Sequence, residues 1–155
     1  MLKAGLVGAG VSFVLALIAA VMTPCCNPCV AILLGLGVGA LAATWERTAT
    51  SETSAGAGAK AGAIASAGGL IGQMLGAVAN GFIVGPSGAA EIYRRLDIQV
   101  PMTTQNYWAY NLGGNCLCAV VNFALGAALG AVGGLLWYQL SGKNQPAASP
   151  LEERR

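Results

Sequence analysis

The sequence contains no histidine, and this absence removes a large group of chemistries from consideration. A histidine-dependent general base, a catalytic triad and a histidine-ligated haem are all excluded. The glycine-rich stretches also lack the Gly-Lys-Ser/Thr ending of a phosphate-binding loop. We therefore expect no cofactor, and the sequence favours a role other than that of an enzyme.

Charged residues are also scarce. They make up 9% of the 155 residues, whereas about a quarter of an ordinary soluble domain is charged. Because 55% of the residues are hydrophobic, too few charges remain to cover a surface that faces water. The net charge of +2 and the lack of a Lys/Arg run argue against a nucleic-acid partner. The sequence instead predicts that the protein's partner and solvent is the lipid bilayer.

The hydrophobic residues form four long runs, each long enough to cross the hydrocarbon core of a bilayer. None of the runs contains a charged residue, which argues against a carboxylate-based proton relay. We therefore predict an all-α integral membrane protein, a four-helix bundle that forms one domain over residues 1–142. A cleaved signal peptide is the alternative for the first run, although no small-residue cleavage site precedes Thr23. The predicted spans cover about residues 4–22, 29–45, 61–84 and 115–140.

Polar segments separate and follow these spans. Residues 23–29, with the sequence TPCCNPC, predict a turn, because proline disfavours a helix that continues through it. Residues 46–60 mix charged residues with Ser, Thr, Gly and Ala, and they predict a solvated connection. The tail, residues 143–155, is polar and contains proline, so it is predicted to be disordered.

The segment between the third and fourth spans, about residues 86–108, predicts a short interfacial helix. Ser87 is a candidate N-cap, and the residues after it carry an apolar face at helical spacing. Such a helix would lie in the membrane interface rather than cross the bilayer. Its apolar face comprises Ile92, Tyr93 and Leu96.

The positions of the basic residues favour one orientation in the membrane. If the N-terminus is cytoplasmic, only Arg94 and Arg95 lie outside, and six basic residues lie inside. We therefore predict a multi-pass protein of a bacterial cytoplasmic membrane with both termini in the cytoplasm. The six residues are Lys3, Arg47, Lys60, Lys143, Arg154 and Arg155.

Small residues recur every four positions in each span, so each helix presents a stripe along which another backbone can approach. Glycine weakens a helix by up to about 1 kcal/mol relative to alanine in water, so close packing is the favoured reason for its presence. The alternative is that Ala and Gly are abundant enough to give this period by chance. The glycines predicted to mediate packing are Gly35, Gly39, Gly68, Gly72, Gly76, Gly126, Gly130 and Gly134.

Two asparagines continue these stripes and are predicted to be buried in the bundle. Asn80 continues the stripe of the third span and Asn122 belongs to that of the fourth, while Gln73 lies off the stripe of the third. An unpaired amide is costly in hydrocarbon, so these groups should bond across helices or line a small wet cavity. The first outcome would make them structural, and the second would make them part of a polar pathway.

The five cysteines invite a sharper hypothesis. Three lie in the first turn and two begin the fourth span, and the predicted topology places all of them at the outer interface. One interpretation is a structural disulfide that joins the turn to the fourth span. The candidates for it are Cys25, Cys26, Cys29, Cys116 and Cys118.

A second interpretation is a thiol-disulfide relay between the pair Cys26/Cys29 and the pair Cys116/Cys118. In this respect the chain is similar to the quinone-coupled disulfide-forming enzymes and the vitamin K epoxide reductase group, a likeness confined to these few residues. A third interpretation is a thiolate metal or cluster site, although the cysteine spacings depart from those of common zinc sites, and no metal is expected. Free or lipid-modified cysteines are the remaining interpretation.

Together these features predict a structural or accessory component that self-associates or joins other subunits in a larger membrane complex. One alternative is a membrane thiol-disulfide oxidoreductase that uses the paired cysteines. The other is a small channel or transporter, which would need a continuous cavity lined by Gln73, Asn80 and Asn122.

Overall fold

The computed structural model describes residues 1–22, 27–99 and 101–142, and this part of the chain is almost entirely helical. All four helices are long and apolar enough to cross a membrane, which confirms the predicted all-α bundle. The predicted tail and the residues Thr23–Cys26 of the predicted turn lie outside the described residues. The helices are α1 (Leu2–Met22), α2 (Asn27–Trp45), α3 (Ser51–Arg95) and α4 (Thr104–Leu140).

The predicted connection 46–60 is wrong over most of its length, because α3 begins at Ser51. Thr50 caps the helix: its side chain accepts a hydrogen bond from the Thr53 backbone, and the Thr53 side chain accepts one from the Thr50 backbone. This capping box satisfies backbone donors at the helix start, and the alanines that follow favour helix. Charge in this segment therefore marks a solvated helical turn rather than a loop.

The polar segment before the fourth span is also shorter than predicted. α4 begins at Thr104, where the Thr103 side chain accepts a hydrogen bond from the Asn106 backbone 3.2 Å away. The predicted short helix forms the last part of α3, but Pro86 lies before Ser87 in it, so Ser87 is not its N-cap. Proline suits a first helical position because its missing N–H would be unpaired there.

Gly85 separates the long part of α3 from its last ten residues. Its backbone has φ 66° and ψ 173°, a conformation that is essentially restricted to glycine. A Cβ at this position would meet nothing within 4 Å, so space does not require glycine here. Only the backbone conformation requires glycine at this position, and this conformation bends α3 where the apolar run ends.

We expect Gly85→Ala to lower the free energy of unfolding by about 1–3 kcal/mol through backbone strain. Gly113→Ala is the matched control, because Gly113 lies inside α4 and a Cβ there would also meet nothing within 4 Å. Thermal unfolding in detergent, followed by circular dichroism, compares the two variants. Equal midpoints for both would contradict a strained backbone at Gly85.

The interior of the bundle is built from alanine and glycine, and the large apolar side chains point outward. Nearly every buried apolar residue is an alanine, whereas Leu33 is 73% exposed and Phe82 is 77% exposed. This distribution is the reverse of that in a soluble domain, where large apolar side chains fill the core. It suits lipid, in which close backbone packing rather than burial of apolar area holds helices together.

Successive helices form two antiparallel hairpins along the chain, α1–α2 and α3–α4. α1 packs more extensively against α3 than against α2, and α3 contacts all three other helices. α1 runs parallel to α3, so that three glycines of α3 lie against successive turns of α1. α4 runs antiparallel to α3 and parallel to α2. The α1–α3 contacts pair Gly68 with Ala9, Gly72 with Phe13 and Gly76 with Leu17. The other contacts pair Gly58 with Gly130, Ser54 with Gly134 and Gly39 with Gly130.

An ion pair joins the start of α1 to the end of α2. The N-terminal ammonium of Met1 contacts the Glu46 carboxylate, next to the aromatic ring of Trp45 at the end of α2. The first hairpin is therefore closed at its open end by charge as well as by helix packing.

Candidate functional site

Three helices meet backbone to backbone at Gly130 of α4. A Cβ on Gly39 of α2 or on Gly58 of α3 would overlap the carbonyl oxygen of Gly130. A Cβ on Gly130 itself would overlap the carbonyl of Gly58 and lie 3.0 Å from the Cα of Gly62. We call Gly39, Gly58, Gly62 and Gly130 the glycine junction. No side chain larger than hydrogen fits at these positions without moving a helix backbone.

All eight glycines predicted to mediate packing lie against a neighbouring helix. A Cβ on any of them would come within 3.0 Å of an atom of that helix. Other glycines of the same helices, including Gly10, Gly37 and Gly113, face open space. The glycines therefore divide into a packed set and an outward set, although both occur in the same apolar helices.

Gly58 and Gly62 are packing residues that the sequence analysis did not single out. They belong to a second four-residue stripe on α3, which begins at Ser54 and continues to Ser66. The stripe starts in the segment predicted as a connection, outside the third predicted span. The spacing Ser54, Gly58, Gly62, Ser66 is the signal that identifies it.

Beyond the glycine junction, side-chain amides link α3 and α4. Gln73 is only 3% exposed, and its Nε2 donates to the Asn115 carbonyl oxygen at 3.2 Å. Its Oε1 accepts from Nδ2 of Asn122, also at 3.2 Å. Nδ2 of Asn111 donates to the Ala77 carbonyl oxygen at 3.2 Å. Both ends of the Gln73 amide are thus used in bonds between the two helices.

The chain of amides continues along α4. Nδ2 of Asn115 donates to the backbone oxygen of Asn111 at 2.8 Å and to its Oδ1 at 3.0 Å. We call Gln73, Asn111, Asn115 and Asn122 the amide ladder. Its three members on α4 are Asn111, Asn115 and Asn122, and Asn122 continues the four-residue line of the packed glycines Gly126 and Gly130. The glycine half of the α3–α4 interface permits close approach, and the amide half supplies directional bonds.

The two asparagines predicted to be buried are each half-buried, and their amides bond to other helices. Asn122 bonds to Gln73, as described above, and Nδ2 of Asn80 donates to the Val21 carbonyl oxygen of α1 at 3.0 Å. Gln73, which lies off the stripe of its helix, is the more deeply buried amide. The glycine stripe predicted for the third span marks the side of α3 that meets α1, whereas Gln73 lies on the side that meets α4.

Aromatic side chains cover the far end of the amide ladder. The Tyr107 hydroxyl donates to the Gly81 carbonyl oxygen at 3.1 Å and is buried. The ring of Trp108 packs edge-on against Phe82, with ring centroids 5.1 Å apart, and against Tyr107. A Cβ on Gly81 would overlap the Trp108 ring, so this glycine makes room for an aromatic residue.

A small cavity of about 30 Å³ lies where residues of all four helices converge, and we call it the central cavity. Gln73 and Asn122 contribute to its wall, but Asn80 does not. Two of the three amides named for a polar pathway therefore share this cavity, and Asn80 is not among the residues that line it. The other polar residues of the wall are Ser12 and Ser66.

Three of the five cysteines lie in the described part of the chain, and their thiols are free and exposed. Cys29 is in the first turn of α2, and Cys116 and Cys118 are two positions apart inside α4. Residues two apart on a helix do not face each other, so this pair does not form a local dithiol. Cys25 and Cys26 lie outside the described residues. Among residues 1–22, 27–99 and 101–142, no group of three or more Cys, Asp or Glu side chains is placed to hold a metal ion.

The fold and the site define a multi-pass, all-α membrane protein whose helices are joined by glycine contacts and amide hydrogen bonds. No family model, curated protein or solved structure matches the chain. Its function is therefore argued from its own geometry.

Proposed function

We propose that this protein is a structural or accessory component of a membrane, a compact four-helix unit that self-associates or attaches to other membrane subunits. The observation that supports the proposal is that the interior amides form hydrogen bonds within the bundle. Gln73, Asn115 and Asn122 bond to groups within the bundle, so their polar atoms serve helix association. Such bonds fix the relative position of helices in lipid.

The outer surface supports the same proposal. Large apolar side chains are exposed on every helix, among them Leu6 on α1 and Leu117 on α4. The exposed glycines Gly113 and Gly114 weaken α4, and a Cβ on either would meet nothing within 4 Å in the described part of the chain. A second helix from another subunit or copy would give these glycines the close contact that the packed glycines have within the bundle.

The proposed orientation places the Met1 end of the bundle in the cytoplasm. Lys3 and Lys60 lie near this end, and Arg94 and Arg95 lie at the opposite end, beyond the Gly85 bend. The Arg94 and Arg95 side chains both bond to Glu91, at 2.6 and 3.0 Å, which offsets their positive charge on the outer side. A bacterial cytoplasmic membrane fits this distribution of basic residues.

The test of an accessory role is the mass of the native particle. The chain is extracted from its own membrane inside a polymer-bounded lipid disc and weighed by native mass spectrometry. We expect particles heavier than one 15.5 kDa chain, by further copies or by other subunits. Particles that contain a single chain at every protein concentration would contradict the proposal.

A thiol-disulfide oxidoreductase is the competing function, and the exposed thiols of Cys29 and Cys118 are the observation that favours it. Against it, Cys116 and Cys118 point to different sides of a continuous helix. We expect a Cys116→Ser/Cys118→Ser double variant to fold with unchanged yield and to leave the redox state of cellular thiols unchanged. Normal folding with a shifted thiol-disulfide ratio would support the oxidoreductase instead.

A further inference from the structure

The central cavity contains a polar group that the bundle itself leaves unsatisfied. Ser12 of α1 is 5% exposed and lines the cavity, and its hydroxyl has no hydrogen-bond partner among the described residues. Serine in a helix can bond to the carbonyl four positions earlier, as Thr44 does to Ala40, but Ser12 does not. A buried hydroxyl without a partner costs about 1–3 kcal/mol, so its environment requires an explanation.

The opposite wall of the cavity carries groups that complement this hydroxyl. Ser66 of α3, the Gln73 amide and the Asn122 amide all line the same space. The Ser66 hydroxyl also has no partner among the described residues, and it lies against Gly126. The Gln73 Oε1 accepts one bond, from Asn122, and an amide oxygen has capacity for two. Donors and acceptors from α1, α3 and α4 therefore face one another across a gap.

The size of the cavity selects the ligand. The volume open to the centres of water molecules is about 30 Å³, and a cavity needs roughly 10–15 Å³ of this volume to hold one water. None of the residues that line the cavity is charged, which argues against an ion. A water needs two to four polar partners, and this wall supplies them.

We propose that the central cavity binds one or two water molecules, which bridge the Ser12 hydroxyl of α1 to Ser66 and the Gln73–Asn122 amide pair. This water would add a polar link between α1 and the α3–α4 pair at mid-bundle, in addition to the hydrogen bond from Asn80 to the Val21 carbonyl oxygen near the end of α1. Water-mediated bonds are nearly as favourable in enthalpy as direct ones. The site is independent of whether the protein acts as an accessory subunit.

The experiment is water-edited NMR on the full chain in lipid nanodiscs, with magnetisation transferred from water to nearby protons. We expect transfer to the Ser12 side-chain protons and to the Gln73 amide, and none to Val11. Val11 is the matched control because it is next to Ser12 at the same depth but is 45% exposed on the outer surface. Absence of transfer to Ser12 and Gln73 would overturn the proposal and indicate a dry cavity.

Two variants fill the cavity from different helices. Ser12→Val removes the hydroxyl and occupies the space, and Ala31→Val occupies it from α2 while Ser12 is kept. We expect both variants to lose water transfer at Gln73, and the second variant keeps the test valid if the first fails to fold. Undiminished transfer in a folded variant would show that the water reaches Gln73 from elsewhere and would also overturn the proposal.

Discussion

Replacing Gly130 by alanine is expected to lower the free energy of unfolding by about 1–3 kcal/mol, although the change adds only one methyl group. The methyl group would overlap the carbonyl group of Gly58 and press on Gly62, and both contacts are with backbone. Backbone in the middle of a helix cannot rotate away as a side chain can, so α3 and α4 must separate. Gly130→Leu should leave little folded protein. Reversible unfolding in a mixture of mild detergent and dodecyl sulfate measures the difference.

The chain provides its own controls for this prediction. Gly113 lies on the same helix as Gly130 but faces open space, and Gly37 lies two residues from the packed Gly39 on α2. Alanine at Gly113 or Gly37 should leave stability unchanged or raise it by up to about 1 kcal/mol, because alanine is the better helix former. Equal effects at Gly130 and Gly113, or at Gly39 and Gly37, would show that the glycine contacts do not hold the bundle together.

The second large effect is expected at Gln73. Gln73→Leu removes the acceptor of the Asn122 amide and the donor to the Asn115 carbonyl oxygen, at a site that is 3% exposed. Because the amide of Asn122 then remains partly buried without a partner, we expect a loss of about 1–3 kcal/mol in the free energy of unfolding. The same unfolding measurement in mixed detergent applies.

A double-mutant cycle separates the hydrogen bond from other effects of the substitution. Asn122→Leu combined with Gln73→Leu removes both partners, so the double variant should be more stable than the sum of the single losses predicts. The expected coupling is about 0.6 kcal/mol, the average for hydrogen bonds between membrane helices, and at most about 1.7 kcal/mol. Asn80→Leu combined with Gln73→Leu is the control, because Asn80 bonds to Val21 and shares no partner with Gln73. Their losses should add, and a coupling as large as that of the Asn122 pair would contradict the assigned contacts.

These predictions bear on the proposed function because they separate the two roles of polar groups in a membrane. If the amides serve only to join helices, variants of the amide ladder will change stability and leave the mass of the native particle unchanged. A variant such as Gln73→Leu that folds normally but changes the assembly would place the amides in contact with a partner. The bridging water proposed at Ser12 is tested separately, by a measurement that does not depend on assembly.

Much of the architecture follows from the sequence. The four apolar runs predict four helices, and each run lies almost entirely within one helix of the structure. The first residues of α3 and α4 were less predictable. Thr50 and Thr103 begin these helices ahead of the apolar runs, and hydropathy does not register capping. The resulting helices of 45 and 37 residues are longer than a bilayer requires.

The candidate site was only partly predictable. The four-residue period of small residues identified Gly39 and Gly130, but it did not show that they meet each other. Of the amide ladder, Gln73 and Asn122 were named from the sequence as groups that bond across helices or line a cavity, whereas Asn111 and Asn115 were not. Asn111 lies before the predicted fourth span, and Asn115 is its first residue. Cys116 and Cys118 read as a pair in the sequence, and the helix between them turns the two thiols apart.

The sequence alone determined that the helices lie in lipid, that there are four of them and that they pack closely. Charged side chains and unpaired backbone groups are costly in lipid, so the scarcity of charge and the length of the apolar runs identify membrane helices. Only the tertiary structure decided which stripes of small residues meet. In lipid both faces of a helix are apolar, so the spacing of small residues marks a packing face, but such a stripe can fit against any other stripe of the same kind. The four-residue spacing separates Gly39 from Gly37, but only the fold shows that Gly39 meets Gly130 of α4 and so belongs to the glycine junction.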